Sequence, residues 1–425
     1  MKRLLVCAVI ALCLISCETK KSPEVITEKG STEKNTDIVF GHKDVIHSNI
    51  LEEDREIWIH LPESAMDDSK KMSKYPVLYL LDGDAHFYSV TGMIKQLSTT
   101  NGNTVSPEMI VVGIPNTNRT RDLTPTHTMD GDSTSGGGKN FLNFIEKELI
   151  PYVENKYPVS DYRTFVGHSF GGLLVVDALV DRPNLFTNYV AIDPSLWWDD
   201  QELLKRATTV LSSTKLDNKA LYVGVANTMK EGMNIQDVKN DTTEATKHIR
   251  SILQFVKTTE SLQDNGLLFN WKYYENDSHG SVPLIAEYDA LHFLFPWYKL
   301  KGVNDLFDPN STISDTDLLK LINAHYENVS NYFGYETLPP EVFINSLAYG
   351  FLENNQMDKA KAMFKLNINN YPASSNVYDS MGDYYLAKQD SIKALELFNK
   401  ALEVGTNDFS QEKIDMLNKN LNSEE

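Results

Sequence analysis

The stretch Tyr162-Arg-Thr-Phe-Val-Gly167-His168-Ser169-Phe170-Gly171-Gly172 constrains the fold most, because it reads as a β-strand ending in G-x-S-x-G and opening a helix. The two glycines let the backbone turn sharply enough for Ser169 to project its hydroxyl above a sheet, within reach of a base and a substrate carbonyl. Context supports this nucleophile elbow: residues 162–166 have strand character, and Gly172 to Val180 carries helical apolar spacing.

Around the elbow, from about residue 37 to residue 300, short apolar runs alternate with amphipathic stretches, the order of an α/β domain built on a mainly parallel sheet. Strands are predicted over residues 56–61, 77–81, 109–114, 162–166, 189–192, 221–225 and 267–274. Helices are predicted over 141–157, 172–180, 201–214, 242–260 and 282–298. Sheets of this kind bind ligands at the carboxyl ends of their strands, which nominates the loops after Leu81, Ile114, Val166, Ile192, Val225 and Tyr274. A chain of 425 residues with 41% hydrophobic content buries a large core and has room for two or three domains.

Several segments together resemble the esterase D type of α/β-hydrolase: Tyr79-Leu-Leu-Asp-Gly-Asp-Ala-His-Phe87, Phe141 to Pro151, Gly167 to Gly172, Pro194-Ser-Leu-Trp-Trp198 and Asp277-Ser-His-Gly-Ser281. That family includes siderophore, feruloyl and acetyl-xylan esterases, S-formylglutathione hydrolases and mycolyltransferases. The resemblance covers roughly residues 40–300. It implies an α/β-hydrolase sheet flanked by helices and a serine esterase that works through an acyl-enzyme, with no cofactor, on a small-molecule ester such as a siderophore lactone or an acylated sugar. An acyltransferase of the same fold, or an inactive hydrolase-like binding protein, are the alternatives.

A serine hydroxyl needs a base during attack. Of the histidines beyond Ser169, His248 and His292 fall in predicted helices and His325 lies outside the domain. That leaves His279, on a turn after the last strand, as general base and then general acid. The acid is expected in a loop after a late strand. Glu231 matches the mycolyltransferase-like acid in its Asn-x-x-x-Glu-Gly context, Asp237 is the alternative, and some siderophore esterases of the family use a Ser and His pair alone. Phe170 offers one oxyanion amide at the start of a helix, and the family places the second at Asp84. Trp197 and Trp198 are pocket wall or core packing. Arg119 and Arg121 lie in a long loop that reads as a substrate-facing lid or as a solvated loop. No histidine spacing or carboxylate cage suggests a metal.

Two further features lie outside this domain. Lys2 and Arg3 precede an apolar run that ends Leu14-Ile15-Ser16-Cys17, resembling a bacterial lipobox, with an ordinary cleaved signal as the other reading. All three cysteines, Cys7, Cys13 and Cys17, lie in this segment, so the mature chain would hold one thiol, blocked by lipid, and no disulfide. The expected division is a signal peptide over 1–16, a polar tether over 17–36 and the hydrolase over 37–300, in a lipoprotein facing the periplasm or cell surface. A formal charge of −19 disfavours nucleic acid and anionic membrane surfaces, so lipid at Cys17 is the expected membrane link.

After a connector over 301–340, the sequence repeats with a period of 34 residues, the length of a tetratricopeptide helix pair. Ile344, Leu347, Ala348, Phe351, Ala360, Phe364 and Pro372 are matched by Tyr378, Met381, Gly382, Tyr385, Ala394, Phe398 and Thr406. A small all-α unit of two repeats is therefore expected over 341–408, followed by a tail over 409–425, with a protein partner as one way to complete it.

Overall fold

The computed structural model describes residues 38–66, 74–129, 133–262, 265–308 and 311–424. Cys17, the signal segment and the tether lie outside them. The described residues from Phe40 onward form a single compact unit.

Its centre is an eight-stranded sheet in the order β1-β2-β4-β3-β5-β6-β7-β8. The strands are β1 (His42–Ser48), β2 (Glu53–His60), β3 (Tyr75–Leu81), β4 (Ile110–Ile114), β5 (Val159–His168), β6 (Asn188–Ile192), β7 (Ala220–Ala226) and β8 (Leu268–Tyr274). β1 and β2 pair antiparallel, as do β2 and β4, and every pairing from β4 onward is parallel. The first strand went unpredicted because its sequence, His42-Lys-Asp-Val-Ile-His-Ser48, is polar and largely exposed at the sheet edge.

The central strands are apolar on both faces because helices cover both. In β3 the side chains alternate: Tyr75, Val77, Tyr79 and Leu81 enter one core, and Leu78 and Leu80 enter the other. The first core is closed by the helical run Gly138–Phe144, Ile145–Leu149 and Ile150–Lys156, which carries a π turn at its centre, and by three long helices, Phe170–Asp181, Trp198–Ser213 and Lys247–Ser261. The second is closed by α1 (Gly83–Ser98), by α2 (Val282–Leu294) and by helices from the C-terminal part of the chain. The helix α1 was absent from the sequence-based expectation: its apolar positions Phe87, Val90, Ile94 and Leu97 recur at helical spacing, but Gly83, Gly92 and three β-branched residues dilute the pattern.

The C-terminal part is helical throughout: α3 (Asp315–Phe333), α4 (Glu341–Glu353), α5 (Met357–Asn370), α6 (Ser375–Ala387), α7 (Ser391–Val404) and α8 (Asp408–Glu424). The last five of these begin where the repeat pattern runs and continue through the stretch expected to be a tail. Gly382 sits where a Cβ would come within 2.4 Å of the Phe398 ring, so the close crossing of α6 and α7 requires glycine there.

The stretch expected to be a connector is part of the core. Phe333 at the end of α3 meets Tyr162 of β5 edge-on with ring centroids 5.1 Å apart, and Trp297 at the same separation. Trp297 in turn stacks on Tyr332. Burial of this aromatic group makes α3 a cover of the sheet. Phe333→Ala should therefore cost roughly 3–5 kcal/mol of stability in urea denaturation. A cost near zero would show that α3 does not hold the sheet.

Candidate active site

Three parallel strands end in residues with left-handed backbone at the carboxyl edge of the sheet: Asp82 after β3 (φ 52), Ser169 after β5 (φ 60) and Asp193 after β6 (φ 42). None is glycine, so each stores roughly 1–3 kcal/mol of strain that the surrounding contacts must hold. Around Ser169 the necessity is visible in the neighbours. A Cβ at Gly167 would lie 2.4 Å from the Gly171 carbonyl carbon, and one at Gly172 would lie 3.0 Å from the Pro194 backbone. The elbow is stitched to the loop after β6, since Ser169 N–H donates to Ile192 O at 2.9 Å and Ser195 N–H donates to Ser169 O at 3.1 Å. The Ser169 hydroxyl makes its hydrogen bond to Ser195 Oγ, at 3.3 Å.

His279 stands on the turn between β8 and α2, and its ring packs on that of His168, the neighbour of Ser169, with centroids 4.4 Å apart. Its Nδ1 lies 2.6 Å from Asp193 Oδ2. Asp193 is fully buried. Its Oδ1 accepts the Ala226 N–H at 2.9 Å, and His248 Nε2 approaches the same Oδ2 at 2.8 Å. Burial alone would push this carboxyl up, but the donors on it, His248 and His279 foremost, hold it well below the usual carboxylate range. The anion fixes the tautomer of His279: Nδ1 carries the proton toward Asp193, and Nε2 keeps its lone pair.

The carboxylate brought to His279 is thus Asp193, not Glu231 or Asp237. Glu231 is exposed on the loop after β7. Asp237 caps the short helix Ile235–Val238, accepting the Asn234 N–H at 3.0 Å. The acid sits one strand earlier than the sequence reading placed it. The signal was an aspartate directly after the apolar run Tyr189–Ile192 and before Pro194, where a carboxylate is buried and so needs a partner. His248 is helical as the sequence predicts, and it occupies the second position of Lys247–Ser261, where the helix start carries it to the sheet edge.

Two helix N-termini face this edge. Phe170 opens the helix after the elbow and Asp84 is the second residue of α1, so both amides belong to first turns without intrahelical acceptors. The Asp84 carboxylate is exposed, with Asn116 Nδ2 3.4 Å away. Asp82 is a structural anchor: Arg119 grips it with Nε at 2.6 Å and Nη2 at 2.9 Å, while Asn116 donates at 2.7 Å. Arg119 Nη2 also donates to His168 O at 3.1 Å, tying the loop after β4 to the elbow.

The arginines expected to hold an anionic substrate group are therefore committed elsewhere. Arg119 is paired with Asp82, and Arg121 binds Glu53 and Asp122, each at 2.6 Å. Trp198 is buried and donates Nε1–H to Thr126 O, which makes it packing behind the Phe170 ring. Trp197 is half-buried beside both and remains available to the open side.

Beneath the site lie two more titratable side chains. Burial, then the neighbouring His279 and His86, bring His168 down to about 4, so it stays neutral beside His279. Glu287 on α2 is buried with Oε2 unpaired, 4.0 Å from His86 through its other oxygen, and burial pushes it up to about 8.

The model of the family described as putative esterase matches residues 48–274, more than half of the chain, and the chain belongs to that family. Among curated relatives it is 32% identical over 169 residues to the ferri-bacillibactin esterase BesA of Bacillus subtilis, covering 36% of this chain and 58% of that one. It is 34% identical over 162 residues to a siderophore enterobactin esterase of Emericella nidulans, covering 34% of this chain and 54% of that one. The chain thus spans little more than half the length of these relatives. Among solved structures it is similar to an IroE-like serine hydrolase from Shewanella oneidensis, at 29% identity and TM-score 0.62 over 77% of this chain and 99% of that one.

The position of Glu287 generates a pH test. Below its unfolded value of 4.5 the carboxyl is neutral in both states; from there to about 8 only the unfolded chain ionises, so its contribution to stability is lost as pH rises. Glu287→Gln should be more stable than wild type at about pH 8.5, by roughly 2–4 kcal/mol, and nearly equal to it at about pH 5. Urea titrations at the two pH values measure this, and a difference that grows toward acid would contradict the buried neutral carboxyl.

Proposed function

We propose that this protein is a serine esterase that opens ester bonds of small iron-chelating molecules, as the names of its relatives suggest, through an acyl-enzyme on Ser169. The reading is carried by one observation: His279, packed beside the elbow, has its Nδ1 on a buried carboxylate and its Nε2 free to act as base. Rotation of the Ser169 hydroxyl away from Ser195 directs its proton to Nε2 as the oxygen attacks the carbonyl carbon. The tetrahedral oxyanion is taken up by the Phe170 and Asp84 amides, reinforced by two helix dipoles. The imidazolium is stabilised by Asp193 and then protonates the leaving alcohol. Water repeats the sequence on the acyl-enzyme.

Two further proposals rest on sequence. Lipid at Cys17 anchors the chain to a membrane facing the periplasm or surface. The helix pairs from α4 to α7 act as tetratricopeptide-type repeats that are structural or bind a protein partner.

A fluorophosphonate probe should label wild type and fail on Ser169→Ala. With a tricatecholate trilactone as substrate, His279→Ala should lose roughly 10⁴-fold or more in kcat and Asp193→Asn roughly 10²–10⁴-fold, while Glu231→Gln stays within about twofold. Strong loss in Glu231→Gln with normal turnover in Asp193→Asn would refute the triad. For the anchor, labelled palmitate should enter wild type and not Cys17→Ala; equal labelling of the two would point to another attachment.

A further inference from the structure

Asp193, His248 and His279 each offer one ligand atom, the three within 4.8 Å of one another, although the residues come from three separate segments. No local spacing in the sequence announces this set; the sheet edge assembles it. Two imidazole nitrogens and one carboxylate oxygen form a donor set that zinc favours in proteins, and imidazole suits the other late first-row divalent ions as well. We infer that these three side chains form a binding site for a divalent transition-metal ion, zinc being the best match, and that its occupation switches the esterase off. The second part of the inference rests on the reading of His279 as the base.

The geometry is close to that of a site. The carboxylate oxygen already lies 2.6 and 2.8 Å from the two nitrogens. A tetrahedral ion with bonds of roughly 2.0–2.1 Å needs its ligand atoms about 3.3 Å apart, so each nitrogen has to draw back from the carboxylate oxygen by less than an ångström. The two imidazole rings stand at 86° to each other with centroids 5.3 Å apart, so their nitrogens meet the oxygen from different directions instead of stacking over it. Asp193 Oδ1 is held by the Ala226 amide, which orients Oδ2 toward the histidines as an outer partner orients a metal-bound carboxylate. The side chains of His248 and His279 are 20% and 41% exposed, so an ion can enter from the open side and keep a water as fourth ligand.

The consequence for catalysis follows from proton accounting. In the metal-free state neutral His279 carries its proton on Nδ1 and offers the Nε2 lone pair to Ser169. When zinc takes the Nδ1 lone pair, the ring's single proton resides on Nε2, which then donates and cannot accept. His248 changes in the same sense, its proton moving from Nε2 to Nδ1. Neither neutral ring releases a proton, the carboxylate keeps its charge, and Ser169 loses its base. The metal in this account is an inhibitor and takes no part in bond cleavage.

The test uses the full chain with zinc chloride in isothermal titration calorimetry, and cobalt chloride for the visible spectrum of a tetrahedral ion. Wild type and Ser169→Ala should bind a single zinc with equal affinity. His248→Gln keeps an N–H for Asp193 but lacks the ligating nitrogen, and should bind at least roughly tenfold more weakly. Ester hydrolysis by wild type should fall in step with zinc occupancy and return on adding a chelator. The rate of His248→Gln, compared with its own zinc-free rate, should resist zinc concentrations that saturate wild type. Absence of zinc binding by wild type, equal binding by His248→Gln, or full turnover at saturation would each overturn the inference. Because the calorimetry needs no turnover, residual activity in Ser169→Ala would defeat the serine mechanism while leaving the metal site to be judged on binding alone.

Discussion

A carboxylate removed from water has to find a donor for each of its oxygens, and the active edge of this protein is organised around how Asp193 does so. Its Oδ1 takes the amide at the end of β7, and its Oδ2 takes His279 from beyond β8 and His248 from the start of a helix. Its own N–H closes onto Gly224 O at 2.8 Å. One side chain thus ties the ends of β6, β7 and β8 together, and an unpaired charge in its place would cost several kcal/mol. The left-handed backbone that places it there is strain of the same kind as that at Ser169.

A second buried carboxylate works on the other side of the elbow. Asp82 is neutralised by Arg119, which also reaches the His168 carbonyl, so the loops after β3, β4 and β5 are locked as the loops after β6, β7 and β8 are by Asp193. Ser169 lies between these two networks. Under the proposed mechanism such an arrangement would keep the proposed oxyanion amides and the proposed base in fixed positions before substrate arrives, which is what electrostatic preorganisation requires.

Much of the sheet was legible because buried parallel strands are short apolar runs, and β3, β4, β6 and β7 are largely of that type. The elbow was legible because its glycines and serine must be adjacent in sequence. Asp193 and His248 were not, since the partnership of residues 193, 248 and 279 exists only once three loops meet. The helix α1 escaped because its glycines weaken its propensity, whereas its packing on the sheet decides its state. The role of residues 301–340 was hidden for a related reason: Phe333 and Tyr332 read as scattered aromatics until Tyr162 and Trp297 are placed against them.

The most direct test of the central claim is the proton between His279 and Asp193, observed by NMR with nitrogen-15 in the histidine rings. The wild-type chain should show a strongly deshielded Nδ1 proton on His279 that is absent in Asp193→Asn and unchanged in Glu231→Gln. A proton that survives in Asp193→Asn and vanishes in Glu231→Gln would contradict the account, because the acid holding the base would then be the loop glutamate.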